Sequence, residues 1–462
     1  MKICFLLQRK FSVFGTAMAK LLKDNYGVTD FCGYTFLRTA EKFLKSQTSV
    51  IFNPLLVEED LFDLSLNEKV DYDYLKSLEE KYGIPNLWQF WGIDRYFTTN
   101  LPKYEVGGAP PLSYDDILNH LQVRFRKITG MLEEKKPDAV IFSAVGSMGS
   151  LVLYWAAKRM GIKTYVIEHA RIKERVLLND NCYCDFTEVN DIFNSLQKEE
   201  RQSKFQEEST AILKEFRESP HKRVWTESDA LPILPRFSRW AEFFSRYLKI
   251  YIKEERWKDY LEEGPLSYLR NRIQRRLRKW IISPDIFEDS KEGEDYAYFP
   301  LHQEPEIATL LYAPFFTNQF SVAQTIAKAL PVGFRLYVKD HPTMTGYRDK
   351  SFYEALKNIP NVRLIKSSAD SISLVKNAKL ITTITGTAGW EGIMLKKPVI
   401  TFGSTFYNVL SMVGKCGALT QLPQLVKDAL DNFQYSDKEL INFMSALMES
   451  STPLNYSRLW QK

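Results

Sequence analysis

The sequence contains little cysteine: five residues in 462, scattered along the chain. An odd number of dispersed cysteines does not suit a disulfide-stabilised scaffold and is typical of a reducing compartment. Cys182 and Cys184 form one C-x-C pair, but no second pair completes the four ligands of a structural zinc site. We therefore expect thiols that neither cross-link the chain nor bind zinc.

Long apolar runs are absent as well. No stretch of about eighteen apolar residues occurs, so the sequence predicts no membrane-spanning helix. The first residues, MKICFLLQRKF, contain a short apolar core at 3–7, which is too short for a signal peptide and suits a buried first strand. We expect a cytoplasmic protein, either free or attached peripherally to the inner membrane.

An excess of one charge is also lacking. The formal net charge is +5, with 45% hydrophobic and 26% charged residues, and this balance is typical of globular domains. The charge gives no indication of a nucleic-acid partner. A chain of 462 residues is long enough for two or three domains.

The segment Phe334–Phe402 carries the most informative pattern in the chain. It repeats short apolar runs that end in polar or small residues, which is typical of buried parallel strands alternating with helices. Ligands of such sheets bind at the carboxyl ends of the strands. The residues predicted at those ends are Lys339, Asp340, His341, Thr383, Thr385, Gly386 and Thr387.

His341 precedes a proline, which restricts it to an extended backbone at the end of its strand. An imidazole held there could stabilise a departing phosphate, as a general acid or as an electrostatic partner. The alternative is a structural histidine in a βα turn. The nearby Lys339, predicted to bind the same phosphate, favours the catalytic interpretation.

Thr385, Gly386 and Thr387 lie where a strand passes into a helix, so the free N–H groups of that helix start could bind a phosphate. The alternative is a plain helix cap, and both can hold together. Glu391, one turn later, is a candidate for ribose hydroxyls or simply a favourable charge in the first helical turn.

Further candidates follow a predicted strand at Tyr296–Pro300. His302, Gln303 and Glu306 should form a rim beside the ligand, with the first two on the acceptor side. Glu306 is a candidate nucleotide or acceptor contact, and a solvated loop acid is the alternative.

The first half of the chain predicts one βαβ unit, with strands at Ala139–Ser143 and Lys163–Glu168. Glu168 is the candidate catalytic carboxylate that would activate an acceptor hydroxyl, and Arg171 is an acceptor-side candidate. A salt-bridged surface pair is the alternative for both. The intervening turn GSMGS is only a weak phosphate-loop mimic, because it lacks the lysine of a P-loop.

Asp71 and Asp73 form a D-x-D, the metal-binding pattern of some transferases. They fall in the acidic, helical segment VDYDYLKSLEEKY, so we interpret them as solvated surface and predict no metal site. The segment 265–282 is amphipathic and contains six basic residues and no acid. It suits a connecting helix first, a membrane-surface helix second, and a nucleic-acid site least.

Three spaced motifs in the second half resemble the capsule polysaccharide biosynthesis family, which includes bacterial Kdo transferases. They are YFPLHQEPE at Tyr298–Glu306, YVKDHP at Tyr337–Pro342 and TGTAGWEGIMLKKPVITFG at Thr385–Gly403. The resemblance implies a GT-B architecture, with two Rossmann-type domains and a cleft between them. It also implies metal-independent transfer from a nucleotide sugar, commonly a CMP-linked acidic one.

We therefore predict an α/β, GT-B-like glycosyltransferase of capsule or surface polysaccharide synthesis that needs no cofactor beyond its nucleotide-sugar co-substrate. The expected partners are that donor, a glycan or glycolipid acceptor, and the inner-membrane surface through 265–282. The predicted domains are an acceptor domain (1–194), a charged helical insert (195–290) and a nucleotide-sugar-binding domain with C-terminal helices (291–462). The alternatives are a UDP-sugar 2-epimerase-like enzyme and a non-catalytic surface-glycan assembly factor.

Overall fold

The structure is a computed structural model that describes residues 1–8, 10–95, 112–220, 237–253, 264–282 and 284–455. The chain divides into two compact units. The first unit consists of Met1–Cys182, Trp240–Tyr268 and Ser450–Lys462, and the second of Tyr183–Arg239 and Leu269–Glu449.

The first unit is built on a mainly parallel sheet. Its first six strands are β1 (Lys2–Leu7), β2 (Asp30–Thr35), β3 (Phe52–Val57), β4 (Ala139–Phe142), β5 (Lys163–His169) and β6 (Arg175–Asn179). Their spatial order is β3-β2-β1-β4-β5-β6, and only the β5–β6 pair among them is antiparallel. The apolar run at 3–7 is wholly buried in β1, as expected for a central strand of a parallel sheet.

The second unit contains a fully parallel sheet. Its strands are β7 (Tyr296–Pro300), β8 (Arg335–Lys339), β9 (Val362–Ile365), β10 (Leu380–Thr383), β11 (Val399–Thr401) and β12 (Val413–Lys415). The spatial order is β9-β8-β7-β10-β11-β12, which is the doubly wound Rossmann order. The first sheet has the same doubly wound order in its first six strands, so the predicted fold class of two Rossmann-type α/β units, as in GT-B proteins, is confirmed.

Helices connect the strands in both units. They are α1 (Phe11–Tyr26), α2 (Arg38–Ser46), α3 (Glu58–Ser65), α4 (Tyr72–Tyr82), α5 (Trp88–Gly92), α6 (Tyr114–Lys135), α7 (Met148–Arg159), α8 (Thr187–Gln197), α9 (Gln206–Glu218), α10 (Phe237–Lys253), α11 (Pro265–Ile281), α12 (Ile307–Leu310), α13 (Gln319–Ala329), α14 (Lys350–Lys357), α15 (Ser371–Asn377), α16 (Thr387–Met394), α17 (Leu422–Asp431) and α18 (Asp437–Glu449). Within the described ranges, none of them is long and apolar enough to cross a membrane.

The unit boundaries differ from the predicted domain boundaries at 194 and 290. The described part of 195–290 does not form one insert, because α9 packs against α18 within the second unit. Buried Ser209 of α9 is hydrogen-bonded to buried Ser445 of α18. The chain then returns to the first unit, where the last strand, β13 (Ser451–Pro453), pairs antiparallel with β6.

Candidate functional site

The second sheet has its topological switch point between β7 and β10. These two strands are parallel neighbours, and the chain winds from β7 toward β9 on one side and from β10 toward β12 on the other. A doubly wound sheet binds its ligand in the crevice at the carboxyl ends of such strands. The segments that follow β7, β8 and β10 carry most of the predicted site residues.

His302, which follows β7, links that strand to β10. The backbone N–H of Thr385 donates to His302 Nε2 (3.3 Å), and the hydroxyl of Thr383 lies 3.4 Å from the same nitrogen. Since Nε2 accepts the amide proton, the ring's own proton lies on Nδ1. The sequence predicts His302 on the rim of the ligand site, and the structure shows that its side chain is buried. Burial, aided by the charges of His341 and Arg348, lowers the pKa of His302 to about 4.

Two buried histidines should make the protein sensitive to acid. Burial first, and the charge of Arg124 second, also lower the pKa of His120 to about 3. The unfolded chain therefore binds more protons than the folded protein below about pH 6.5, so the free energy of unfolding should fall as the pH drops from there toward 4. His302 alone should account for roughly 3 kcal/mol.

Urea titrations at neutral pH and near pH 4.5 measure this effect. His302→Gln removes the titrating ring, so the variant should lose roughly 2 kcal/mol less than the parent between the two pH values. An equal loss of unfolding free energy in both proteins would show that folding does not lower the pKa of His302.

His341 follows β8 and begins a short 3-10 turn at Pro342–Met344. Its Nδ1 accepts the backbone N–H of Thr343 (3.3 Å) and lies 2.6 Å from that residue's hydroxyl. The same hydroxyl, which donates its proton to Nδ1, also lies 2.9 Å from the side-chain amide of Gln303. With Nδ1 as an acceptor, the ring's proton lies on Nε2, which becomes a hydrogen-bond donor. Gln303 thus contributes by orienting the Thr343–His341 pair.

A buried arginine that sequence reasoning missed ties the two segments together. Arg348 forms an ion pair with Asp340, and it also donates to the His302 carbonyl (2.8 Å) and to Glu304 (2.9 Å). Asp340 in turn accepts the N–H of His341 (2.8 Å) and the hydroxyl of Tyr353. The backbones of His302 and His341 are therefore held by one buried polar network.

The three residues of the predicted Thr-Gly-Thr turn have different contacts at the start of α16. Thr385 makes hydrogen bonds within the protein: its N–H donates to His302 Nε2, and its hydroxyl donates to the Ala308 carbonyl (2.8 Å). Gly386 is the helix N-cap, and no side chain caps the first turn. Thr387 is exposed. The first-turn N–H groups of a helix, here those of Thr387 and Ala388, have no intrahelical partner, and helix starts of this kind can bind anions.

Glycine is required at position 386 by a close approach. A Cβ there would lie 2.7 Å from Thr383 Oγ1 and 3.3 Å from the His302 ring. The N–H of Gly386 donates to the same Thr383 hydroxyl (2.9 Å). The glycine therefore lets the helix start sit directly against the strand end.

Lys339 and Tyr298 belong to a buried layer at the carboxyl ends of β8 and β7, whereas Glu391 of α16 is partly exposed. Lys339 is 3% exposed, and its Nζ lies 3.1 Å from the hydroxyl of Ser371 at the start of α15. Burial raises the pKa of the neighbouring Tyr298 above its usual value. A hydrogen bond from Ser371 opposes this rise, and the negative charge of Glu391 adds to it. The lysine predicted to bind the phosphate thus lies within this buried layer.

Glu306 is the N-cap residue of α12, and its side chain makes no capping bond there. It is partly exposed. The Thr385–Ala308 hydrogen bond fixes α12 beside the start of α16. Glu306 therefore remains on the segment that borders the candidate site.

The first unit offers a contrasting helix start at α7, in the turn GSMGS. Ser147 and Ser150 form a reciprocal capping box, and buried Asp94 accepts the N–H of Met148 (2.9 Å). The chain's own carboxylate therefore occupies the position that an anion would take. This geometry disfavours phosphate binding at α7 and leaves α16 as the candidate.

Glu168 and Arg171 belong to the first unit and are described within it. Glu168 lies in β5 opposite Leu177 of the antiparallel β6, a return strand that the sequence did not predict. Arg171 adopts a left-handed backbone (φ 59°) in the turn between them. Both side chains are partly exposed.

The D-x-D of Asp71 and Asp73 is a helix start in the first unit. Asp71 caps α4 by accepting the N–H of Tyr74 (2.9 Å), and it forms an ion pair with Arg126 (2.9 Å). Asp73 is exposed in the first turn. The local geometry thus explains both aspartates as parts of a capped surface helix.

Comparison with known families places the motifs in context. Residues 237–458 match the family described as capsule polysaccharide biosynthesis protein. This range contains all three motifs and extends beyond them on both sides, so the predicted resemblance is confirmed. Protein FixF of Sinorhizobium fredii (strain NBRC 101917 / NGR234) is 22% identical over 158 residues, which are 34% of this chain and 36% of that protein. The matched part thus spans about a third of the curated relative.

Solved structures with a similar fold are distant in sequence. The β-Kdo 2,7 transferase of Thermosulfurimonas dismutans KpsC is 11% identical, with a TM-score of 0.38 over 69% of this chain and 80% of that one. A Methanocaldococcus jannaschii UDP-GlcNAc 2-epimerase in complex with UDP-GlcNAc and UDP is 12% identical, with a TM-score of 0.32 over 97% and 99%. These likenesses are too distant to support an argument about activity.

Proposed function

From the match of residues 237–458 to the capsule polysaccharide biosynthesis family, we propose that this chain is a glycosyltransferase of surface polysaccharide synthesis. It would transfer a sugar from a nucleotide donor to a glycan or glycolipid acceptor. The observation that carries the proposal is the uncapped start of α16 at the switch point of the second sheet.

The donor's phosphate would bind the first-turn N–H groups of α16 and the hydroxyl of Thr387. Nε2–H of His341 would donate to a phosphate oxygen as the bond between sugar carbon and phosphate oxygen breaks. The electron pair of that bond stays on the nucleotide, where the imidazole offsets the developing charge. Glu391 and Glu306 are the proposed nucleoside contacts, and Lys339 supplies positive charge from the buried layer.

The acceptor side of the proposal belongs to the first unit. An acceptor hydroxyl attacks the sugar carbon and loses its proton, for which Glu168 is the proposed base and Arg171 the neighbouring contact. We propose a CMP-linked acidic sugar as the donor, transfer without a metal ion, and action at the cytoplasmic face of the inner membrane, contacted through 265–282.

Nucleotide binding tests this proposal. CMP should stabilise the protein more than UDP or GDP in a thermal-shift series, and at a hundred times its dissociation constant it should add about 2.7 kcal/mol to the free energy of unfolding. A preference for UDP would contradict the CMP assignment and favour the epimerase-like alternative.

A negative charge introduced at the start of α16 tests whether the nucleotide binds there. Thr387→Glu adds a carboxylate that favours the helix but repels a phosphate, so the variant should fold normally and lose the CMP shift. Thr387→Ser keeps the hydroxyl and serves as the control. If Thr387→Glu keeps the full shift, the nucleotide does not bind at α16.

A further inference from the structure

Helix α11 holds the His341 segment with one of its sides. The Arg275 guanidinium donates to the carbonyls of Thr345 (2.8 Å) and Thr343 (3.1 Å). One turn later, Arg278 donates to the Tyr347 carbonyl (3.2 Å). These bonds reach the turn in which Thr343 orients the His341 ring. This side of the helix therefore packs against the second unit.

The opposite side of α11 is apolar and faces solvent. Ile273, Leu277, Trp280 and Ile281 are 46%, 52%, 72% and 55% exposed. At 3.6 residues per turn these four positions form a stripe on one side of the helix, across from Arg275, and the exposed Arg270 lies on that side about two turns before Leu277. A connecting helix needs no such stripe, and a contiguous exposed apolar surface marks an interaction site.

The charge of the same segment indicates the partner. Residues 265–282 contain six basic side chains and no acidic one. On the helical wheel Arg272, Arg276 and Lys279 lie between the apolar stripe and the side that holds the His341 segment. Basic residues flanking an apolar stripe that includes a tryptophan are typical of helices that lie in the interface of anionic membranes.

We infer that α11 lies in the plane of an anionic membrane surface, with Ile273, Leu277 and Trp280 inserted among the lipids. This inference deepens the proposed function, on which it rests, by identifying how the membrane partner is held. An α-helix is about 10 Å across, so the His341 segment would lie roughly one helix diameter from the lipid surface. A lipid-linked acceptor would then meet a donor site held at that distance.

Sedimentation with vesicles tests the inference. The protein should bind vesicles of phosphatidylglycerol and phosphatidylcholine at least about tenfold more strongly than vesicles of phosphatidylcholine alone, and less strongly as salt is raised. Leu277→Ser with Trp280→Ser should abolish binding to both. Arg272, Arg276 and Lys279 replaced together by Gln should abolish the preference for the anionic vesicles.

A matched control replaces exposed apolar residues elsewhere in the second unit. Val332→Ser with Leu419→Ser alters side chains that are 105% and 44% exposed, and this variant should bind vesicles as the parent does. If the Leu277/Trp280 variant sediments like the parent, the inference is wrong. It is also wrong if that variant turns a parent dimer into a monomer in light scattering, because the stripe would then join two copies of the chain.

The two sides of α11 can be separated by experiment. Arg275→Gln should weaken the CMP thermal shift and leave vesicle binding intact, whereas the Leu277/Trp280 variant should do the reverse. If the parent does not bind CMP, but vesicle binding is still lost in the Leu277/Trp280 variant, the proposed function is wrong and the membrane inference is supported. If the parent binds CMP and the Leu277/Trp280 variant binds vesicles as the parent does, only the membrane inference is wrong.

Discussion

Replacing His341 by alanine should lower kcat by roughly a hundredfold or more, because the donor at Nε2 that offsets charge on the leaving phosphate is lost. The nucleotide should still bind, since the N–H groups of α16 are unchanged. Steady-state turnover and a separate CMP titration of the same variant measure the two effects. If the alanine variant keeps the parent's kcat, His341 has a purely structural role.

His341→Asn is the matched control for this prediction. Its Oδ1 can still accept the N–H of Thr343, so it preserves the cap of the 3-10 turn that His341 Nδ1 provides. The variant should therefore fold like the parent and turn over as slowly as the alanine variant. Recovery of activity in the asparagine variant would show that the cap, rather than the imidazole donor, matters.

Arg348→Met should lower the free energy of unfolding by about 3–5 kcal/mol, because it leaves the buried Asp340 carboxylate without its ionic partner. Both side chains are almost fully buried, at 4% and 3% exposed. The network also holds the His302 carbonyl, so nucleotide binding should weaken as well. Urea titration followed by a CMP thermal shift measures both consequences.

An exposed ion pair provides the control for this second prediction. Arg38 pairs with Asp60 and Asp63 on the surface of the first unit, with its side chain 32% exposed. Arg38→Met should cost no more than about 1 kcal/mol. Asp340→Asn combined with Arg348→Met should recover part of the lost stability, since no buried charge remains unpaired. Equal losses from the two arginine variants would contradict the buried network.

Local apolar runs were enough to predict the strands that position the site. The strand predicted at Tyr296–Pro300 is β7, and the one predicted at Ala139–Ser143 is β4 with one residue fewer. Central parallel strands are buried on both faces, so their sequences are apolar throughout and end abruptly in polar residues. The same pattern placed His341 and Thr387 at the carboxyl edge of the second sheet.

Contacts between distant segments could not be predicted in this way. Arg348 reaches back 46 residues to the His302 carbonyl, and no pattern around it distinguishes it from a surface arginine. Lys339 has the position of a phosphate ligand, but its burial depends on how α15 covers the sheet. Amphipathicity marked α11 in the sequence, yet only its packing shows that the apolar side faces outward.

A crystal structure of the protein with CMP tests the central claim most directly. The nucleotide's phosphate should lie against the backbone N–H groups of Thr387 and Ala388, within hydrogen-bonding distance of His341 Nε2. A nucleotide bound at α7 in the first unit, or a phosphate that contacts neither α16 nor His341, would contradict the proposed donor site.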